Sequence, residues 1–136
     1  MKWTVTLSTF CVCGVLLAGC GATPEVTENR RVSPESLPFT LEVRADFTEE
    51  SVDQADSRGD VVVAFGISKL DVIAVRRVGG QELPEGPVEH EVQGDTVTSE
   101  LFPIADGYAI ECQYREDRAD TVRSACRDTV ESVKMR

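Results

Sequence analysis

The chain has 136 residues, 24 acidic against 14 basic, and a formal net charge of −10. That length holds one domain of ordinary size with room for a real core. A surface so acidic is repelled by phosphate backbones, which excludes direct nucleic-acid binding, and it argues that the domain stands off anionic lipid headgroups rather than lying on them.

In chain order, Lys2 is a short positive n-region, and Val5 to Ala18 is an apolar run of secretory-signal length. The run is too short for a comfortable membrane span, which needs about 20 apolar residues. Leu17-Ala18-Gly19-Cys20 closes it. These four residues resemble the cleavage-and-acylation box of prokaryotic lipoproteins. The resemblance implies cleavage before Cys20, a diacylglycerol thioether on Cys20, and a soluble domain tethered on the extracytoplasmic face of a cell membrane. Residues 1–19 are then a signal peptide. Residues 20–36 are read as acylated Cys20 plus a flexible tether, since Gly21, Pro24, Ser33 and Pro34 alternate with charges and show no apolar period. Residues 37–136 are read as a single domain.

The five cysteines separate by chemistry. Cys11 and Cys13 leave with the signal, and Cys20 carries lipid. Cys112 and Cys126 remain as a pair in an exported domain, where disulfides form and persist. Closing a loop of about 15 residues stabilises by roughly 3 kcal/mol in the chain-entropy view.

Phe39 to Arg44 alternates apolar and polar, the period of a half-buried strand. Asp46 to Asp60 is acidic and serine-bearing, and is read as a loop with a helical turn near Thr48 to Gln54. Asp60 to Ile67 is almost continuously apolar from Val61 on, as in a strand buried on both faces, with Val63 and Phe65 central. Ser68 to Asp71 turns the chain, and Val72 to Val78 forms the second arm of a hairpin, with Arg76-Arg77 marking its exit from the core. Val88 to Val92 alternates weakly. Thr96 to Phe102 is a strand ended by Pro103, and Asp106-Gly107 is a tight turn into Tyr108 to Tyr114. In that last strand Tyr108, Ile110, Cys112 and Tyr114 share one face, and Ala109, Glu111 and Gln113 the other.

Asp117 to Val133 reads as a helix. Ala119, Val122, Cys126, Val130 and Val133 recur at three- and four-residue spacing, Asp117 is its N-cap, and Lys134 and Arg136 suit its C-terminal end. Cys112 on a strand's apolar face and Cys126 on a helix's apolar stripe then predict a fold: an α+β domain, an antiparallel sheet with the C-terminal helix packed on one face.

The stretch Gly-Tyr-Ala-Ile-Glu-Cys-Gln-Tyr (107–114), followed after an acidic break by Ala-Cys-Arg-Asp-Thr-Val-Glu-Ser-Val-Lys (125–134), resembles the C-terminal half of small actinobacterial lipoproteins of the LpqN type, in the PsbP-like group. That resemblance implies a trimmed version of the α/β/α sandwich and a non-catalytic accessory or binding module. It transfers no site residues.

Chemistry-bearing residues are sparse. His90 lies between Glu89 and Glu91, but on a strand it points away from both, and it is the single histidine. Asp53, Asp56 and Asp60 lack the spacing of a calcium loop. No Gly-x-Ser-x-Gly elbow occurs. Phe47, Phe102, Tyr108 and Tyr114 read first as core, with an apolar groove as the functional alternative. Arg76-Arg77 reads as a solvated edge. The expectation is a non-enzymatic lipoprotein without cofactor or metal, contacting the membrane through Cys20 and an envelope protein through its domain. The alternative is a carrier or sensor of a small apolar or lipid ligand held between sheet and terminal helix.

Overall fold

The computed structural model describes residues 28–52, 55–56, 59–105 and 107–136. The signal run, the lipobox with Cys20, and residues 21–27 of the tether lie outside them.

The strands are β1 (Asn29–Val32), β2 (Phe39–Arg44), β3 (Thr48–Glu50), β4 (Ala55–Asp56), β5 (Gly59–Gly66), β6 (Val72–Arg77), β7 (Val88–Val92), β8 (Asp95–Ala105), β9 (Tyr108–Tyr114) and β10 (Lys134–Met135). One helix, α1, spans Ala119–Glu131 after a 3-10 turn at Glu116–Arg118. The larger sheet runs β3-β5-β6-β9-β8-β7, with β4 also on β5; the smaller runs β1-β2-β10. All pairings in both are antiparallel. With α1 packed on β2 and β9, the fold is α+β.

The core lies between the large sheet and a second layer made of α1 and the small sheet. Phe39, Leu41 and Val43 of β2 face Phe65, Ile73, Ile110 and Cys112 of the large sheet, and Val122, Ala125 and Cys126 come from α1. The β2 alternation is the direct cause: its three apolar residues are fully buried, and Thr40, Glu42 and Arg44 lie outward. In β5, Val63 and Phe65 point into the core, while Val61 and Ala64 line an open concavity on the other side, so the strand is packed on one face where its apolar run predicts both.

The hairpin β7–β8 turns through Gln93 and Gly94, both at positive φ (53° and 88°). Positive φ at both central residues matches the twist of the flanking strands, and it accounts for glycine at the second position.

Several expectations need correction. Residues 29–32, read as tether, form β1, paired with β2 from Asn29↔Arg44 to Val32↔Leu41; a strand needs no apolar alternation when backbone pairing to a buried neighbour holds it. Thr48 to Glu50 form no helical turn but an edge strand on β5, where exposed acids are well tolerated. Pro103 does not end β8, which continues to Ala105 with a register shift between Pro103 and Ala105; a bulge accommodates the missing N–H. Asp117 sits in the 3-10 turn, and Arg118 occupies the N-cap of α1 without a side-chain cap. Lys134 lies beyond α1, in β10 on the free side of β2.

Candidate functional site

Cys112 and Cys126 sit at disulfide-bonding distance, with Cα atoms 6.1 Å apart. Both are buried. The pair fastens α1 to β9 from the two apolar faces that the sequence assigns them. The far end of the helix is fastened separately. Ser132 Oγ accepts from the Glu42 N–H and donates to the Thr129 carbonyl, each at 2.7 Å.

The outer face of the large sheet, turned away from α1, holds a concave cavity of about 410 Å3. Ala64 and Ala74 supply small side chains to its lining, Arg76 and Glu111 a buried polar pair, and Lys69 and Gln93 of the β5–β6 and β7–β8 turns further polar groups. Arg76 Nε donates to Glu111 Oε1 at 2.7 Å, and the two side chains are 6% and 3% exposed. The register explains this pair. Arg76 lies opposite Ala109, whose small side chain leaves room, and Glu111 is the diagonal neighbour on the same face. Arg76 is therefore no solvated edge. Arg77 is the exposed residue, its guanidinium 5.7 Å from the Tyr108 ring centre. Sequence reading placed Glu111 on the non-core face of β9 but gave it no partner, because the pairing of β6 with β9 spans more than thirty residues.

A second cleft, of about 260 Å3, runs along the flank of α1. Phe102 and Cys112 of the large sheet and Val130 of α1 supply its apolar wall, with Glu100, Arg123 and Arg127 on its rim. Tyr114 donates to Glu100 Oε1 at 3.0 Å, and Arg123 Nε bridges to the same oxygen at 3.3 Å. Burial first, and then the bond to Glu100, push the Tyr114 phenol up to about 12. Of the four aromatics singled out in sequence, Phe47 and Tyr114 are buried in the core, Tyr108 packs edge-on against Phe39 at 5.4 Å, and Phe102 lines this cleft.

His90 points to the same face as Ser99, with Nε2 and Oγ 2.8 Å apart across β7 and β8. Ser99 is buried. The contact satisfies a buried hydroxyl, and Glu89 and Glu91 lie on the opposite face. Among the described residues there is no group of three side chains suited to a metal ion. Asp53 and the Asp56 side chain lie outside them, and Asp60 is an exposed residue of β5.

Asp71 is a structural clamp that sequence reading left as a turn residue. It is fully buried. Its carboxylate accepts from Ser68 Oγ at 2.6 Å, from the Arg115 N–H at 2.9 Å and from the Arg115 guanidinium at 2.9 and 3.2 Å. Burial alone would raise its pKa. The bonds from Ser68 and Arg115 outweigh burial and hold it below the ordinary 3.8.

These features define a disulfide-linked α+β domain with a polar concavity on one side of its large sheet and a partly apolar cleft on the other. No family model, no curated protein and no solved structure matches the chain. No described helix is long and apolar enough to cross a membrane.

Proposed function

We propose that the chain is a lipid-anchored, non-catalytic binding module of the cell envelope, held at the extracytoplasmic face of a membrane through Cys20. The lipobox supports the anchor, and the Cys112–Cys126 pair suits an oxidising compartment. The binding surface is the concave outer face of the large sheet. The observation that carries this assignment is the buried Arg76–Glu111 pair in the lining of an open cavity. A buried ion pair adds little net stability compared with apolar packing, so its placement in a cavity lining supports recognition of a polar surface. The partner is read as another envelope protein.

The experiment places a photocrosslinking residue at Lys69 or Gln93 and irradiates intact cells. A discrete adduct that disappears when the probe is moved to exposed Asp128 of α1, outside both cavities, supports the reading. Equal background at all three positions rejects it. Palmitate labelling that persists in Cys20→Ser would remove the anchor.

The flank of α1 favours a second reading, a carrier of a small apolar ligand in the cleft beside Phe102 and Val130. At about 260 Å3 it lies just under the usual range for small-molecule sites. Native mass spectrometry of protein purified from membranes tests it: a bound mass lost in Val130→Arg supports a carrier, and a clean apo mass rejects it.

A further inference from the structure

The register lays one row of residues across β3, β5, β6 and β9, on the face of the large sheet turned away from α1. Glu50 lies opposite Ala64, Ala64 opposite Ala74, and Ala74 opposite Glu111. All of them line the cavity of about 410 Å3. Neighbouring strands lie about 4.8 Å apart, so the two acids stand roughly 14 Å apart at their Cα atoms. The row is a trough: small side chains in its middle and a carboxylate at each end.

The charged groups around this trough are of two kinds. Glu111 is held by Arg76 at 2.7 Å, with both side chains more than nine-tenths buried. Glu50 and Lys69 line the same cavity, and among the described residues neither side chain has an ion-pair or hydrogen-bond partner. They are opposite in sign. Glu50 is half-buried on β3, and Lys69 is exposed in the β5–β6 turn. Ala64, opposite Glu50, is two residues from Gly66 at the end of β5, and Lys69 lies beyond it. Two strand residues are about 7 Å of chain, so the two charges are carried at well-separated points of the cavity.

An occupant that satisfies both brings an ammonium group to Glu50 and a carboxylate to Lys69. A single α-amino acid bears the two on one carbon and is too short. Two or three linked residues reach roughly 7–10 Å. The peptide groups between the ends donate and accept, as does the side-chain amide of Gln93 in the same lining. None of the described lining residues is aromatic, so no ring face is offered for a base or sugar to stack on. At about 410 Å3 the cavity falls within the range usual for small-molecule sites.

We propose that the concavity binds a short free peptide of about two or three residues, its N-terminal ammonium on Glu50, its C-terminal carboxylate on Lys69, and small side chains over Ala64 and Ala74. This rests on the reading of the concave face as the binding surface, and it names a free peptide as the occupant. Exposed ion pairs are individually weak, so selectivity lies in the requirement for both free ends.

The test titrates trialanine into the full-length chain in detergent micelles and follows backbone amide shifts by NMR. The expected result is a saturable shift at Glu50, Lys69 and Gln93 that leaves α1 unmoved. N-acetyl-trialanine and trialanine amide each bind about threefold or more weakly. In Glu50→Gln acetylation no longer matters while amidation still does, and in Lys69→Gln the pattern is reversed. No saturable shift with trialanine, equal binding of the blocked peptides, or shifts confined to the cleft beside Phe102 overturns the proposal. If a variant unfolds, the blocked peptides on the unaltered chain decide. A photocrosslinked protein adduct at Lys69 or Gln93 without trialanine binding overturns the peptide and leaves the surface reading standing. Absence of both overturns the two together.

Discussion

Arg76 of β6 and Glu111 of β9 form a 2.7 Å ion pair with both side chains more than nine-tenths buried. It occupies the outer face of the sheet, and the buried Val75 and Ile110 lie on the inner face of the same two strands. Removing either side chain takes a short charge-assisted bond away from a buried partner. Glu111→Gln and Arg76→Met are each expected to cost roughly 3–5 kcal/mol, and the double replacement Arg76→Met/Glu111→Leu far less than their sum. Urea unfolding of the four proteins checks this. Additive losses would mean the two side chains act independently.

The Cys112–Cys126 pair closes a 14-residue separation between β9 and α1. Cys126→Ala is expected to lower stability by about 3 kcal/mol, or roughly 10–20 °C in Tm for a domain near 100 residues. Thermal melting measures it, with thiol titration of the unreduced, unfolded native chain showing no free thiol from this pair.

Asp71 gives a pH signature. Its folded-state pKa lies below the ordinary 3.8, so the carboxylate stabilises the fold above that value, and the stabilisation is lost as pH falls through the depressed folded value. Asp71→Asn is expected to cost about 1–3 kcal/mol at neutral pH. The gap to the unaltered chain narrows below the ordinary value. Denaturation midpoints of both proteins across the acid range test the sign; a gap that widens in acid contradicts it.

Tyr114 acts at the other end of the pH scale. Its folded value of about 12 lies above the ordinary 10, so its contribution is complete below pH 10 and disappears as pH rises through 12. Tyr114→Phe loses the bond to Glu100 but is expected to show a weaker stability decline across that alkaline window. Phenolate absorbance during alkaline titration should show one tyrosine ionising late.

Gly66 has no room for a side chain. A Cβ there would lie 2.7 Å from the Ser68 carbonyl oxygen and 3.2 Å from that of Asp71. Gly66→Ala is expected to destabilise by about 1–3 kcal/mol, read as a lower urea midpoint. The effect is backbone crowding in the β5–β6 turn, where Asp71 is clamped.

Local pattern made much of the fold legible. The alternation of Phe39 to Arg44, the split faces of β9 and the stripe of α1 each needed only neighbouring residues, and each reports burial directly. The two cysteines on apolar faces supplied the long-range contact that oriented helix on sheet. What escaped were the elements held by pairing rather than by their own composition. β1, β3 and β10 are short, polar and exposed; they are strands because β2 and β5 offer them backbone partners, and nothing in Asn-Arg-Arg-Val or Lys-Met announces that.

The candidate surfaces divide along the same line. The acidic balance and the placing of Cys112 and Cys126 on two apolar faces follow from the sequence alone, because charge and local period are properties of composition and order. The partnership of Arg76 with Glu111 and the clamp of Arg115 on Asp71 depend on the pairing of β6 with β9, strands distant in the chain. Only the tertiary structure could decide these, since a shift of one residue in that pairing would send each side chain to the opposite face.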